Sequence, residues 1–216
     1  MPKILIVEGH SIVRIGLAKI LADGFGGEGV SEASTAGEAL EKVSREHWDI
    51  ILLDISLPGR SGLDLLKDLK QHWPKVPVLV LSMHAEGQFA IRALRNGAAG
   101  YLDKDIAPEE LLAALHKCLS GGTYIRASLA EKLAAHLRDT GQAPHEMLSD
   151  REFQVLGLIG SGKTASEIAR ELSLSIKTIS TYRTRILEKM HMCNNAELMR
   201  YSIENRVCST EVVSET

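Results

Sequence analysis

Apolar and polar positions alternate along the first 120 residues in two rhythms. Short, nearly unbroken apolar runs at 3–7, 50–53, 78–81 and 100–102, with a weaker one at 29–33, predict β-strands. Between them, at 12–21, 36–46, 62–72, 85–96 and 108–120, apolar residues recur every three or four positions, the spacing of an amphipathic helix. Gly97 falls where a helix C-cap belongs, and Pro108 sits at the start of the last segment. Strict alternation of strand and helix implies a parallel sheet with helices on both faces, and unbroken apolar strands fit burial from both sides. The expected fold is therefore α/β, doubly wound and flavodoxin-like, with five parallel strands.

From Leu148 onward the strand rhythm is gone. Helices are predicted at 150–161, 164–172, 176–190 and 195–205, enough to close a small all-α, four-helix unit. The expected division is 1–120, a linker at 121–147 holding one helix at 128–139, a helical unit at 148–207 and a disordered polar tail at 208–216.

Charge sharpens this division. The net charge of −3 is unevenly spread. Residues 1–120 hold 13 Lys and Arg against 16 Asp and Glu, whereas 175–190 hold 4 against 1. An acidic front and a basic segment near the end suggest a regulatory part and a polyanion-binding part. The apolar runs fall far short of a bilayer span, and the N-terminal one lacks a cleavage signal. Cys118, Cys193 and Cys208 lack metal-type spacing and fit a reducing cytosol, so a cytoplasmic protein without membrane contact is expected.

In a doubly wound sheet, ligands sit beyond the carboxyl ends of the strands. The residues there are polar against an apolar background: Glu8, Asp54, Ser82 and, just past the fifth strand, Lys104. A carboxylate pair can hold Mg2+, Asp54 can form an acyl phosphate, and Ser82 and Lys104 can stabilise a transferred phosphoryl group. His10 and His84 flank the site and are read as bystanders, since no His pair has ligand spacing.

Residues 1–120 resemble a response-regulator receiver domain. The resemblance runs through Ile-Leu-Ile-Val-Glu-Gly-His, Leu-Leu-Asp-Ile-Ser-Leu-Pro-Gly-Arg-Ser-Gly, Val-Leu-Ser-Met-His and Gly-Tyr-Leu-Asp-Lys-Asp. It implies that Asp54 is the phosphoacceptor and that Glu8, Asp54 and the carbonyl of Ser56 are Mg2+ ligands. Ser82 and Lys104 would be the switch pair, and Tyr101 the aromatic that rotates inward when Ser82 engages the phosphoryl group. The family usually carries two adjacent acids after the first strand; here the second place is Gly9. Weaker Mg2+ binding is the expectation.

In the back half, Gly157-Leu-Ile-Gly-Ser-Gly-Lys-Thr164 formally matches a P-loop, which would make the chain a phosphotransferase using Lys163. The preceding residues suit a helix face better than a strand, and Ser149-Asp-Arg-Glu152 reads as a capping box that starts it. The short joint Ser173-Leu-Ser175 between two helices, the second basic, is a helix-turn-helix signature. Ile179, Tyr182, Ile186, Leu187 and Met190 form the inward stripe, leaving Lys177, Ser180, Thr181, Thr184 and Arg185 outward and Arg183 at the margin. Residues 148–207 resemble the LuxR-type effector domain of NarL/FixJ response regulators, through Leu-Ser-Asp-Arg-Glu-Phe-Gln-Val-Leu, Gly-Lys-Thr-Ala-Ser-Glu-Ile-Ala-Arg-Glu-Leu and the run from Ser175 to Met190. Tyr182 stands where histidine is frequent. The resemblance implies that Ser180, Thr181 and Thr184 face bases, that Lys177, Thr178, Arg183 and Arg185 face the backbone, and that the last helix pairs two effector domains.

Together these readings describe a non-enzymatic transcription regulator, apart from slow loss of its own phosphoryl group. Its expected partners are a sensor histidine kinase, double-stranded DNA and, when active, a second copy of itself. Gly9 leaves a second reading open, in which the receiver acts without phosphorylation.

Overall fold

A computed structural model describes residues 1–83, 87–138, 143–205 and 207–208. Its front half alternates β1 (Ile4–Val7), α1 (Ser11–Phe25), β2 (Val30–Ala33), α2 (Ala36–Arg45), β3 (Ile50–Asp54), α3 (Gly62–His72), β4 (Val78–Ser82), α4 (Gln88–Arg95), β5 (Gly100–Asp103) and α5 (Pro108–Leu119). The sheet is parallel throughout, in the order β2-β1-β3-β4-β5. β1, β3 and β4 are buried along their whole length, which is why they carry no polar alternation. β2 is an edge strand left largely half-exposed, which fits its weaker apolar pattern, whereas the other edge strand, β5, is mostly buried. Gly97 ends α4 with φ +88°, a conformation that suits glycine. Helix α4 begins at Gln88; the expected start at 85 lies outside the described residues.

The described residues after α5 make defined contacts with the front half and with the C-terminal helices. Tyr124 bridges Gly100 at the sheet edge. Arg126 clasps Glu110 at 2.6 Å and Asp103 at 3.4 Å, fixing the start of α6 (Ala127–Arg138). A 3-10 turn, Pro144–Met147, buries His145, whose Nδ1 lies 2.7 Å from the Tyr201 hydroxyl.

The back half consists of α7 (Asp150–Gly160), α8 (Ala165–Glu171), α9 (Ile176–Met190) and α10 (Asn195–Glu204). The capping box at Ser149 and Glu152 is formed, and Thr164 with Glu167 makes a second one at α8. All of α7 is buried, because it packs against α9 and α10 on one side and against α3 on the other. The P-loop reading fails here. Residues 150–160 are helical, so Gly157 and Gly160 lie within a helix and only Gly162 follows its end, no strand precedes the motif, and Lys163 is paired with Glu171. Val207 and Cys208 are buried, so Cys208 belongs to the packed structure rather than to a tail; 209–216 lie outside the described residues.

Apolar packing is continuous between the halves. One core fills the sheet face under α2, α3 and α4 and runs on into the C-terminal helices, with Phe89 and Phe153 edge to face at 4.6 Å. The other core lies under α1 and α5.

Candidate functional site

Strand order reverses where β1 sits between β2 and β3, so the loops after β1 and β3 part and leave a crevice at their carboxyl ends. Register carries the polar residues there. Val7 pairs with Leu53, Asp54 with Leu81 and Ser82 with Asp103, so Glu8, Asp54, Ser82 and Lys104 emerge along one sheet edge. The backbone amide of Lys104 donates to the Ser82 carbonyl at 2.8 Å, locking the fifth-strand loop to the fourth.

Glu8, Asp54 and Lys104 form one closed charge cluster. The Lys104 ammonium lies 2.6 Å from Glu8 Oε2 and 3.0 Å from Asp54 Oδ2, with all three side chains at most 5% exposed. Asp54 Oδ1 accepts from the Ser56 amide at 3.0 Å. Burial pushes the Asp54 carboxyl above its ordinary range, and the Glu8 charge adds to this, although Lys104 pulls the other way. Burial also acts to raise Glu8, but hydrogen bonds from Lys104 and the His10 amide outweigh it and hold Glu8 low. Two acids at one site are thus driven apart, with Glu8 held ionised and Asp54 the one whose charge is costly.

Ser82 and Tyr101 are fully buried. Tyr101 is already packed inward in the core beneath α4, the position the receiver resemblance reserves for the switched state. The last glycine of the Asp54 motif has a steric cause. A Cβ on Gly62 would lie 2.1 Å from the Asp54 carbonyl, so the loop that presents Asp54 closes only over glycine.

His10 does more than flank the site. Its amide and its Nδ1 contact Glu8 Oε1 at 2.8 and 2.9 Å, and Glu8, His10 and Asp54 place possible ligand atoms within 4.8 Å of one another. A helix-start His three residues past a strand end, and two past Glu8, is the signal that could have found it. His84 lies outside the described residues.

The donor set fits a divalent cation poorly. Gly9 offers no ligand, and a Cβ there would meet the ring Cδ of Pro58 at 2.8 Å. Each carboxylate has one oxygen held by a backbone amide, and the other lies at ion-pair distance from the Lys104 ammonium.

The second site is the outer face of α9. Ile179, Ile186 and Met190 are buried, and Tyr182 and Leu187 half-buried, while Lys177, Ser180, Thr181, Thr184 and Arg185 are exposed. Ser175 caps the helix by accepting from the Thr178 amide at 3.0 Å. Lys189 pairs with Glu152 at 2.6 Å and holds α9 against the start of α7. Ser180, Thr181 and Thr184 each donate to the carbonyl one turn back, which fixes their hydroxyls with acceptor lone pairs outward. Arg183 is half-buried and donates to Asn195 of α10, so it serves the helix packing in this arrangement.

Comparison with known proteins agrees with the two-part architecture. Residues 4–116 match the response regulator receiver domain, and 146–202 match the luxR family of bacterial regulatory proteins. The chain is a response regulator. It is 32% identical to the response regulator UvrY of Escherichia coli over 99% of both chains. It is 37% identical to the transcriptional activator protein ExaE of Pseudomonas putida, over 93% of this chain and 95% of that one. Among solved structures it is similar to RcsB of Salmonella enterica serovar Typhimurium bound to promoter rprA, at 28% identity and a TM-score of 0.62, covering 93% of this chain and 97% of that one. In this response regulator the receiver is the five-stranded α/β half, and the LuxR-type helix-turn-helix occupies the C-terminal helices. No helix among the described residues is long and apolar enough to cross a membrane.

The two sites are mechanically joined. Gly59, in the loop that follows Asp54, donates its amide to the Leu172 carbonyl at 3.1 Å, at the turn between α8 and α9. Arg151 of α7 donates to the carbonyls of both Gly59 and Leu172 at 3.2 Å. Arg92 of α4 donates to the carbonyls of His145 and Leu148, pairs with Asp150 at 3.2 Å and stacks over Phe153 at 4.0 Å.

Proposed function

We propose that this response regulator is a cytoplasmic transcription factor whose Asp54 takes a phosphoryl group from a sensor histidine kinase, and whose α9 then reads DNA as part of a dimer. One observation carries the reading: Asp54 is buried at the strand-order reversal with a lysine 3.0 Å from one carboxylate oxygen. In the transfer, Asp54 oxygen forms a P–O bond as the P–N bond of a kinase phosphohistidine breaks, and the histidine nitrogen regains a proton. Lys104 neutralises the added charge, and Ser82 donates to a phosphoryl oxygen. The new anion draws Lys104 from Glu8, which alters the loops around Asp54 and thus the Gly59–Leu172 contact. A receiver equilibrium between two arrangements then sets how often the effector helices are free to pair, through α10, on half-sites about one DNA turn apart. Ser180, Thr181 and Thr184 face bases, whereas Lys177, Thr178, Arg183 and Arg185 face phosphates, with Arg183 first leaving Asn195.

The test is a gel shift on promoter DNA with and without acetyl phosphate, using wild type and Asp54→Asn. Tighter binding on phosphorylation, lost in Asp54→Asn, is expected. Equal binding in all four lanes refutes kinase control and favours the second reading, a receiver that acts without phosphorylation. That reading is supported by Gly9 and by Tyr101 lying inward.

A further inference from the structure

We infer that Lys104 is the resident cation of the acid pocket, its ammonium occupying the place between Glu8 and Asp54 that Mg2+ would need. The inference concerns the ion alone and rests on the receiver reading of the site. Four observations support it. The ammonium touches both carboxylates at 2.6 and 3.0 Å, as a bridging cation does. The outer oxygens are also engaged, Glu8 Oε1 by His10 and Asp54 Oδ1 by the Ser56 amide, so an ion would have to break existing hydrogen bonds at both acids. The position that would supply a third carboxylate is Gly9, and the Pro58 ring, 2.8 Å from where a Cβ would stand, fills that place. Because the Pro58 Cδ is bonded to the backbone nitrogen of the loop carrying Ser56, it cannot swing aside as a side-chain tip would. Finally, Mg2+ keeps several of its waters and demands near-octahedral oxygen geometry. Here both acids are 1% exposed under a 5% exposed lysine, which leaves a hydrated ion little access.

The longer acid matters. Glu8 carries one methylene more than aspartate, and it is this side chain that makes the shorter contact to Lys104. A receiver built this way trades a soluble metal for a tethered charge. Its acid pocket is neutralised to the same degree whatever the Mg2+ concentration, and Lys104 must leave Glu8 before it can serve an anion on Asp54.

The experiment uses the full chain and Mn2+ as the probe, followed by the loss of free Mn2+ signal in electron paramagnetic resonance, with Mg2+ as competitor. It requires neither phosphorylation nor DNA, so its outcome is independent of whether kinase control holds. Lys104→Met keeps the length of the side chain and removes the charge, and it should bind Mn2+ roughly tenfold or more tighter than wild type, since two buried carboxylates then lack a cation. Equal or weaker binding in Lys104→Met overturns the inference. Wild type alone supplies a second arm should that variant fold poorly. At about 10 mM Mg2+ its melting temperature should stay where it was, because a site that does not bind gains nothing by mass action. A rise in the wild-type melting temperature, abolished by Glu8→Gln, overturns the inference equally.

Discussion

Asp54 is the residue whose chemistry the fold works against. Burial raises its carboxyl above the ordinary 3.8, so the native state holds the proton more tightly than the unfolded chain does. The ionised form therefore costs stability, and that cost grows as pH rises from 3.8 through the folded value. Asp54→Asn should raise the melting temperature by several degrees at neutral pH and have little effect below 3.8. Thermal unfolding at both pH values checks this, and a lowered melting temperature at neutral pH would mean that the Lys104 pair outweighs desolvation. Glu8 has the opposite sign: its depressed pKa contributes stability above 4.5 that is lost as pH falls through the folded value. On α9, Arg185 is exposed, and the proposed reading sets it against a phosphate. Arg185→Ala should weaken binding several-fold on every DNA sequence and reduce the slope of log K against log salt by about 0.9. A change in sequence preference without a change in slope would instead assign it to a base.

Among the elements, α7 does more than its length suggests. It starts at a capping box, its inner side packs on α9 and α10, and its outer side meets the receiver. Close packing on α10 requires Gly160, where an added Cβ would fall 2.5 Å from that of Ser202 and 2.9 Å from that of Cys208. Gly160→Ala should destabilise the effector helices by roughly 1–3 kcal/mol, measurable by urea unfolding. An unchanged midpoint would show that α10 shifts freely. The same residue explains why Ser202 and Cys208 are buried at the end of the chain. Helix α9 differs from α7 in keeping a solvent face, which is what a DNA-reading helix needs.

For the whole molecule, the decisive feature is that the loop after Asp54 and the helix-turn-helix turn share hydrogen bonds. A movement of Pro58 or Gly59 must either carry Leu172 along or break from it. Arg92 is the largest single tie between the halves, since it serves two carbonyls, one carboxylate and one aromatic face. Arg92→Ala should cost roughly 2–3 kcal/mol, less than a lone buried pair because Lys67 still holds Asp150 at 2.7 Å. The halves should then separate, seen as a larger radius of gyration in small-angle X-ray scattering. Identical scattering curves would show that the Phe89–Phe153 packing suffices to hold them.

Local rules were enough for much of this. Unbroken apolar runs set the five strands, three- and four-residue spacing set the helices, and the Ser149 capping box was readable because it depends on residues only three apart. Strand ends and helix spacing singled out Asp54, Ser82, Lys104 and the outer face of α9, and the resemblance to two known domains gave them expected roles. What no local rule contains is contact between distant segments. That Pro58 closes over Gly9 and that Gly59 meets Leu172 depend on how the strands are ordered and where the second half docks, and that Arg183 turns to Asn195 depends on how α9 and α10 pack. The P-loop match failed on local grounds too, since a phosphate cradle needs a strand before it, and the apolar spacing and the Ser149 capping box already marked that segment as a helix. Composition and periodicity determine which elements form and which faces they bury; only the closed structure decides which charges become neighbours, because electrostatic pairing falls off within a few ångströms that sequence distance does not measure.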